Sequence, residues 1–325
     1  MGTKKSNIYF PNFQKKDNHH WADYLELLCV FNIDKMLSQN DFIDRLSNRR
    51  DREDTDDFKK HRAAIEINQN NSILAEDVYS LIAYRVEVFK GYYPFYLSDD
   101  NKVIYFKEDI SDRSKIYILM LFCSCLGAFS KYNSIFTSSF EQLSLLVLKA
   151  VLPAGAEVHL FGSSNIESVG EESKKNELFW EKLTTLAEHL REQVLIKRED
   201  LSEKNRGDGG LDIYGLSRLG DKNKHFPIYF CQCACTPEWV NKQHSSKFDS
   251  WNEFITLSTY PLNVVFIPYS FRRANGNWHE EYKIKKSVVF DRQRMLHHLH
   301  EEIELKKFDS FDIIAEILAT KESVV

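Results

Sequence analysis

Two consecutive segments constrain this chain more than any others. Gly207-Asp208-Gly209-Gly210-Leu211-Asp212-Ile213 is followed, after a polar stretch at 217–224, by Phe226-Pro227-Ile228-Tyr229-Phe230-Cys231-Gln232-Cys233-Ala234-Cys235-Thr236. Adjacent glycines make a tight turn, because they accept backbone conformations that side chains disfavour. The runs at 212–219 and 228–235 have strand character, and the pattern predicts an antiparallel pair. Such a pair sets Asp212 beside Gln232. A carboxylate and an amide in neighbouring strands offer oxygen to a hard divalent cation. The alternative for Gln232 is a structural hydrogen bond to nearby backbone.

The 325 residues allow two domains or one large one, and 43% hydrophobic with 13% aromatic content supports a proper core. The net charge of −5 argues against a surface that is basic throughout. Any nucleic-acid contact would therefore use local basic patches or affinity supplied by a partner. The opening residues, Met1-Gly2-Thr3-Lys4-Lys5-Ser6-Asn7, lead into no apolar signal core. The most apolar stretch, 116–129, is shorter than the roughly 20 residues of a membrane span. A cytoplasmic location and free thiols at all six cysteines are the corresponding expectations.

The first half has helical spacing at 21–36, 41–46, 73–89 and 111–131, with a hairpin at 93–107. The charge run at 49–60 fits a solvated connection or helix face. From residue 138 the style changes. Helices are expected at 138–152, 176–193, 237–248, 291–302 and 311–319, and strands at 157–161, 212–219, 228–235 and 262–268. Thr236 as N-cap and Pro237 at the first position would open the 237–248 helix. The order helix, strand, strand, strand, helix, strand implies a mixed α/β core. The chain divides on this reading into a mainly helical region, 1–137, and an α/β domain, 138–325.

The Asp-Gly-Gly-x-Asp turn and the strand carrying Gln232 resemble Mrr-type restriction endonucleases of the PD-(D/E)xK nuclease superfamily. Phe140-Glu141 on the preceding helix extends the similarity, which runs over roughly 138–268. The resemblance implies a restriction-endonuclease-like mixed sheet flanked by helices. It implies a Mg²⁺- or Mn²⁺-dependent endonuclease that hydrolyses DNA, acting in antiviral defence with partner subunits or as an oligomer. Asp212, Gln232 and Glu141 would hold the metal, with Glu177 and Glu181 as alternatives to Glu141. The lysine that usually lies two residues after the glutamine is here Ala234. Lys242, on the next helix, is the replacement the resemblance suggests, and Lys247 a second. The alternative for Lys242 is an exposed lysine paired with Glu238. A nuclease fold that binds or scaffolds without cutting, and an RNA nuclease, are the rival functions.

Other signals are weaker. Cys231, Cys233 and Cys235 alternate along one strand and are too closely spaced for a zinc knuckle, so packing explains them better. His297, His298 and His300, and His19 with His20, fit solvated helices. Arg272, Arg273, Lys283, Lys285 and Lys286 form the best local basic patch for DNA, around a turn at 275–277 where Trp278 is placed to stack on a base.

Overall fold

A computed structural model describes residues 17–50, 60–162, 178–202, 207–299 and 308–319. The protein is mixed α/β and forms two compact units. The first comprises Met1–Lys131, Tyr269–His279 and Phe311–Val325, and the second Tyr132–Pro268 and Glu280–Ser310. The single cut expected at 137 is thus replaced by a discontinuous division. The chain leaves the second unit after residue 268, returns at 280, and leaves again at 311.

The first unit contains α1 (Asn18–Phe31), β1 (Met36–Ser38), α2 (Gln39–Arg50), α3 (Lys60–Phe89), β2 (Phe95–Leu97), β3 (Val103–Phe106) and α4 (Asp112–Ser124). The expected hairpin is β2–β3, with Phe95 opposite Phe106. Met36–Ser38 adds a third strand that three residues of sequence did not reveal. α4 starts where Ser111 accepts a hydrogen bond from the Ser114 amide, and its residues from Ile116 to Cys123 are fully buried. Among the described residues, no single helix is long and apolar enough to cross a membrane.

The second unit begins with α5 (Asn133–Val151) and β4 (Glu157–Leu160). α6 (Phe179–Leu190), β5 (Ile213–Leu216), β6 (Ile228–Cys233), α7 (Trp239–Lys242) and α8 (Phe248–Trp251) follow. β7 (Leu262–Phe266), β8 (Val288–Phe290) and α9 (Arg292–His298) complete it, and α10 (Asp309–Ala319) follows. The sheet order is β4-β5-β6-β7-β8. β4, β5 and β6 run antiparallel, and β7 and β8 continue in parallel to β6.

One face of this sheet packs Tyr214, Leu216, Ile228 and Phe230 with Phe179, Leu183 and Trp251. Fully burying each such side chain contributes about 1.5–3 kcal/mol. Gly215 faces the opposite way, where a Cβ would lie 2.9 Å from Leu152 Cδ1 and 3.5 Å from Leu148 Cδ2. A larger residue there would push the α5 end off the sheet.

The expected helix at 237–248 is a correction. Only Trp239–Lys242 is α-helical, and Glu238, not Thr236, is its N-cap. The chain then turns through Gln243–Ser246. Gln243 donates its side-chain amide to the carbonyls of Val240 and Lys283, and its own carbonyl accepts from Asn263 Nδ2. These bonds satisfy backbone groups that further helix would have used, and they end it.

Candidate active site

The site is built where β5 begins. Gly209 and Gly210 both have positive φ, +59° and +80°. Asp208 Oδ1 accepts a hydrogen bond from the Gly210 amide at 2.8 Å, and the Asp208 carbonyl accepts from Leu211 N. This turn delivers Asp212 into the ladder between two strands. The Asp212 amide donates to Cys231 O at 2.9 Å, and its carbonyl accepts from Phe161 N and Gly162 N. The backbone of Asp212 is thereby fixed on both sides.

The β5–β6 register sets Ile213 opposite Cys231, and so Asp212 opposite Gln232. Gln232 Nε2 donates to Asp212 Oδ2 at 2.8 Å, and the Cys233 amide donates to the same oxygen at 2.6 Å. With Oδ2 engaged twice, Oδ1 is the oxygen turned towards Gly162. A methyl on Gly162 would lie 3.5 Å from Asp212 Oδ1 and 3.2 Å from Glu141 Oε2. A glycine at 162 thus leaves a small space between two carboxylates. Gln232, expected as an oxygen ligand, instead presents its amide nitrogen to Asp212, while its Oε1 faces Gly210.

Electrostatics follow from that crowding. Burial, then the neighbouring Asp208 carboxylate, raises the Asp212 pKa to about 7, against the Cys233 amide and the Lys242 ammonium. Burial, then Asp212 and Asp208, raises Glu141 well above the usual carboxylate range, against Lys182. Two acids held this way favour either a shared proton or a cation. Burial and Asp212 push both Cys231 and Cys233 upward as thiols, and Cys233 hydrogen-bonds Ser144.

Of the alternative glutamates, Glu181 accepts from the Leu178 amide and caps its own helix. Glu177 lies outside the described residues. Lys242 is half-buried at the end of α7, and Ser245, three residues on, packs against Gly210. Lys247 faces Asp249 at 3.7 Å. Lys182 is the residue that sequence reading passed over. It is fully buried, its Nζ lies 3.5 Å from the Gly207 carbonyl, and its charge acts on Glu141. Its sequence neighbours suggested only the polar face of an amphipathic helix, and no local signal marked it.

The basic patch is split. Arg272 and Arg273 belong to the first unit, and Lys283, Lys285 and Lys286 to the second. Arg272 lies over one face of the Trp278 ring at 3.5 Å from its centroid. Arg273 Nε donates to the His279 carbonyl, and Lys283 pairs with Glu280. His297 and His298 are adjacent rings on α9, and His300 lies outside the described residues.

Comparison with protein-family models, with curated proteins and with solved structures returns no match.

Proposed function

We propose that the second unit is a restriction-endonuclease-like domain that hydrolyses phosphodiester bonds in DNA with a divalent cation. The observation that carries this reading is the pair of carboxylates, Asp212 and Glu141, facing each other across Gly162 with raised proton affinity. The element order α5-β4-α6-β5-β6-α7-α8-β7, with the acid at the head of β5 and the glutamine in β6, supports it.

The donor set is oxygen and anionic, which suits Mg²⁺ or Mn²⁺. Asp212 and Glu141 would hold the ion, which when bound supplies charge stabilisation at the phosphate under attack. Gln232 fixes the orientation of Asp212 by donating to Oδ2. Asp208 holds the glycine turn. Lys242, the more accessible of the two lysines, neutralises the phosphate or donates a hydrogen bond that orients the attacking water. Lys182 offsets the buried charge of Glu141 and acts as a positioning residue.

A second reading is favoured by one observation. Ala234 is fully buried at the position where the lysine is expected, and its amide donates to Phe266 O. A nuclease fold that binds or scaffolds without cutting would look like this.

Cleavage of plasmid DNA with Mg²⁺ or Mn²⁺, by wild type, Asp212→Asn and Lys242→Ala, separates the readings. Metal-dependent cutting lost in Asp212→Asn supports the first. Cutting that survives Asp212→Asn removes the site, and DNA binding without cutting supports the second. A parallel RNA substrate reports which nucleic acid is used.

A further inference from the structure

We propose that Asp17, His19 and His279 form a second metal site, in the first unit, for a borderline cation of the Zn²⁺ type. One donor atom from each of the three residues lies within 4.8 Å of the others, the one such group of three among the described residues. His279 Nε2 is 3.4 Å from an Asp17 carboxylate oxygen. Zinc bonds to nitrogen and oxygen at about 2.0–2.1 Å, and tetrahedral ligands are then roughly 3.3 Å apart. The Asp17–His279 spacing therefore matches one edge of a zinc tetrahedron. Two imidazoles and one carboxylate select Zn²⁺ or a similar transition ion over Mg²⁺, which prefers oxygen alone.

The scaffold around the three donors is fixed. Asp17 is the N-cap residue of α1, yet its side chain makes no capping hydrogen bond. An N-cap aspartate ordinarily accepts from the first turn of its helix, and this one is directed to His279 instead. His19 is buried, with its ring edge-on to Phe271 at 5.3 Å and to His279 at 5.0 Å. Its carbonyl accepts from the buried Arg85 Nη2 at 3.1 Å. The backbone of residue 279 is held twice, by its amide donating to Phe271 O and its carbonyl accepting from Arg273. An isolated His279–Asp17 ion pair would account for two of the three residues, and a cation would bring in the buried His19 imidazole as well. The cation would tie the start of α1 to the 269–279 segment, two parts of the same unit that lie far apart in sequence.

The test uses the full chain, stripped with a chelator and titrated with Zn²⁺ against a chromophoric competitor. Wild type is expected to bind one tight Zn²⁺. His279→Gln and Asp17→Asn should each weaken it by roughly tenfold or more, since even an outer-shell partner is worth that much. Both residues are only half-buried, and circular dichroism checks that the variants fold. Asp212→Asn should bind Zn²⁺ as wild type does, which keeps this site separate from the proposed nuclease centre. No tight Zn²⁺, or unchanged affinity in both variants, overturns the proposal, the latter assigning the ion to the cysteine thiols or the carboxylates.

Discussion

Gln232 donates its side-chain amide to Asp212 across the β5–β6 pair, Nε2 to Oδ2 at 2.8 Å, and in doing so turns the other carboxylate oxygen towards Glu141. Replacing Gln232 with Glu would set an acceptor against that oxygen and add a third charge to the cluster. Gln232→Glu is expected to raise the Asp212 pKa further, readable by carboxyl NMR titration, and to lower metal-dependent cleavage. Gln232→Met should leave the pKa change smaller and cleavage reduced by loss of orientation alone. Equal cleavage in both variants and wild type would remove Gln232 from the site.

Asp212 makes stability depend on pH in a defined direction. Its pKa rises from 3.8 to about 7 on folding, so between those values the folded chain binds more protons than the unfolded one. Stability from this group is then complete below pH 3.8 and falls as pH rises towards 7. Asp212→Asn removes the ionisation and should flatten that decline, by a few kcal/mol at most, because a shift of one unit is about 1.4 kcal/mol. A bound divalent cation should oppose the same decline. Thermal unfolding at pH 5 and pH 8, with and without Mn²⁺, is expected to show a Mn²⁺-dependent rise at pH 8 that is absent at pH 5 and absent in Asp212→Asn.

Lys182 and Lys242 differ in burial and should differ in effect. Lys182 is fully buried beside an acidic group, and Lys182→Met leaves Glu141 without that countercharge. Breaking a buried charge pair costs about 3–5 kcal/mol, unless the carboxylate protonates instead. Urea denaturation should therefore show a large loss at pH 8 that shrinks at pH 5. Lys242→Ala should unfold within about 1 kcal/mol of wild type and lose roughly 10²-fold in cleavage rate. The opposite ranking would exchange the two roles.

Gly210→Ala tests the turn. Its positive φ strains any L side chain, and a methyl there would collide with Ser245 Cβ and lie 3.1 Å from Gln232 Oε1. A destabilisation of about 1–3 kcal/mol is expected from the backbone alone, with more from the collision. Shortening Ser245 to glycine relieves only the second part, so Gly210→Ala/Ser245→Gly should recover some stability in chemical denaturation and not all of it.

In the first unit, Arg85 is fully buried between Asp23 and Glu26, at 2.7 Å from each, and Glu26 also accepts from Tyr93 and Tyr117. Arg85→Met leaves two buried carboxylates without their cation and should cost about 3–5 kcal/mol in urea titration. Adding Glu26→Gln should return part of that loss, and a double-mutant cycle measures the coupling.

The sequence by itself determined the parts that depend on neighbours along the chain. Adjacent glycines specify the turn before Asp212, the strand-like runs at 212–219 and 228–235 contain β5 and β6, and helical spacing at 21–36, 111–131 and 138–152 overlaps α1, α4 and α5. The Asp212–Gln232 pairing was legible because 212–219 and 228–235 are consecutive strand-like runs that pair antiparallel. Tertiary structure decided what depends on residues brought from elsewhere. Lys182 was invisible because its burial depends on the sheet that α6 packs on. The helix after Pro237 stopped early because Asn263 and the 283–287 backbone and side chains compete for Gln243 and its carbonyl. The division into units escaped a linear reading because 269–279 packs with residues far from it in sequence. Asp17, His19 and His279 could be recognised as a group only in space, since donor atoms converge by folding and sequence distance carries no information about it.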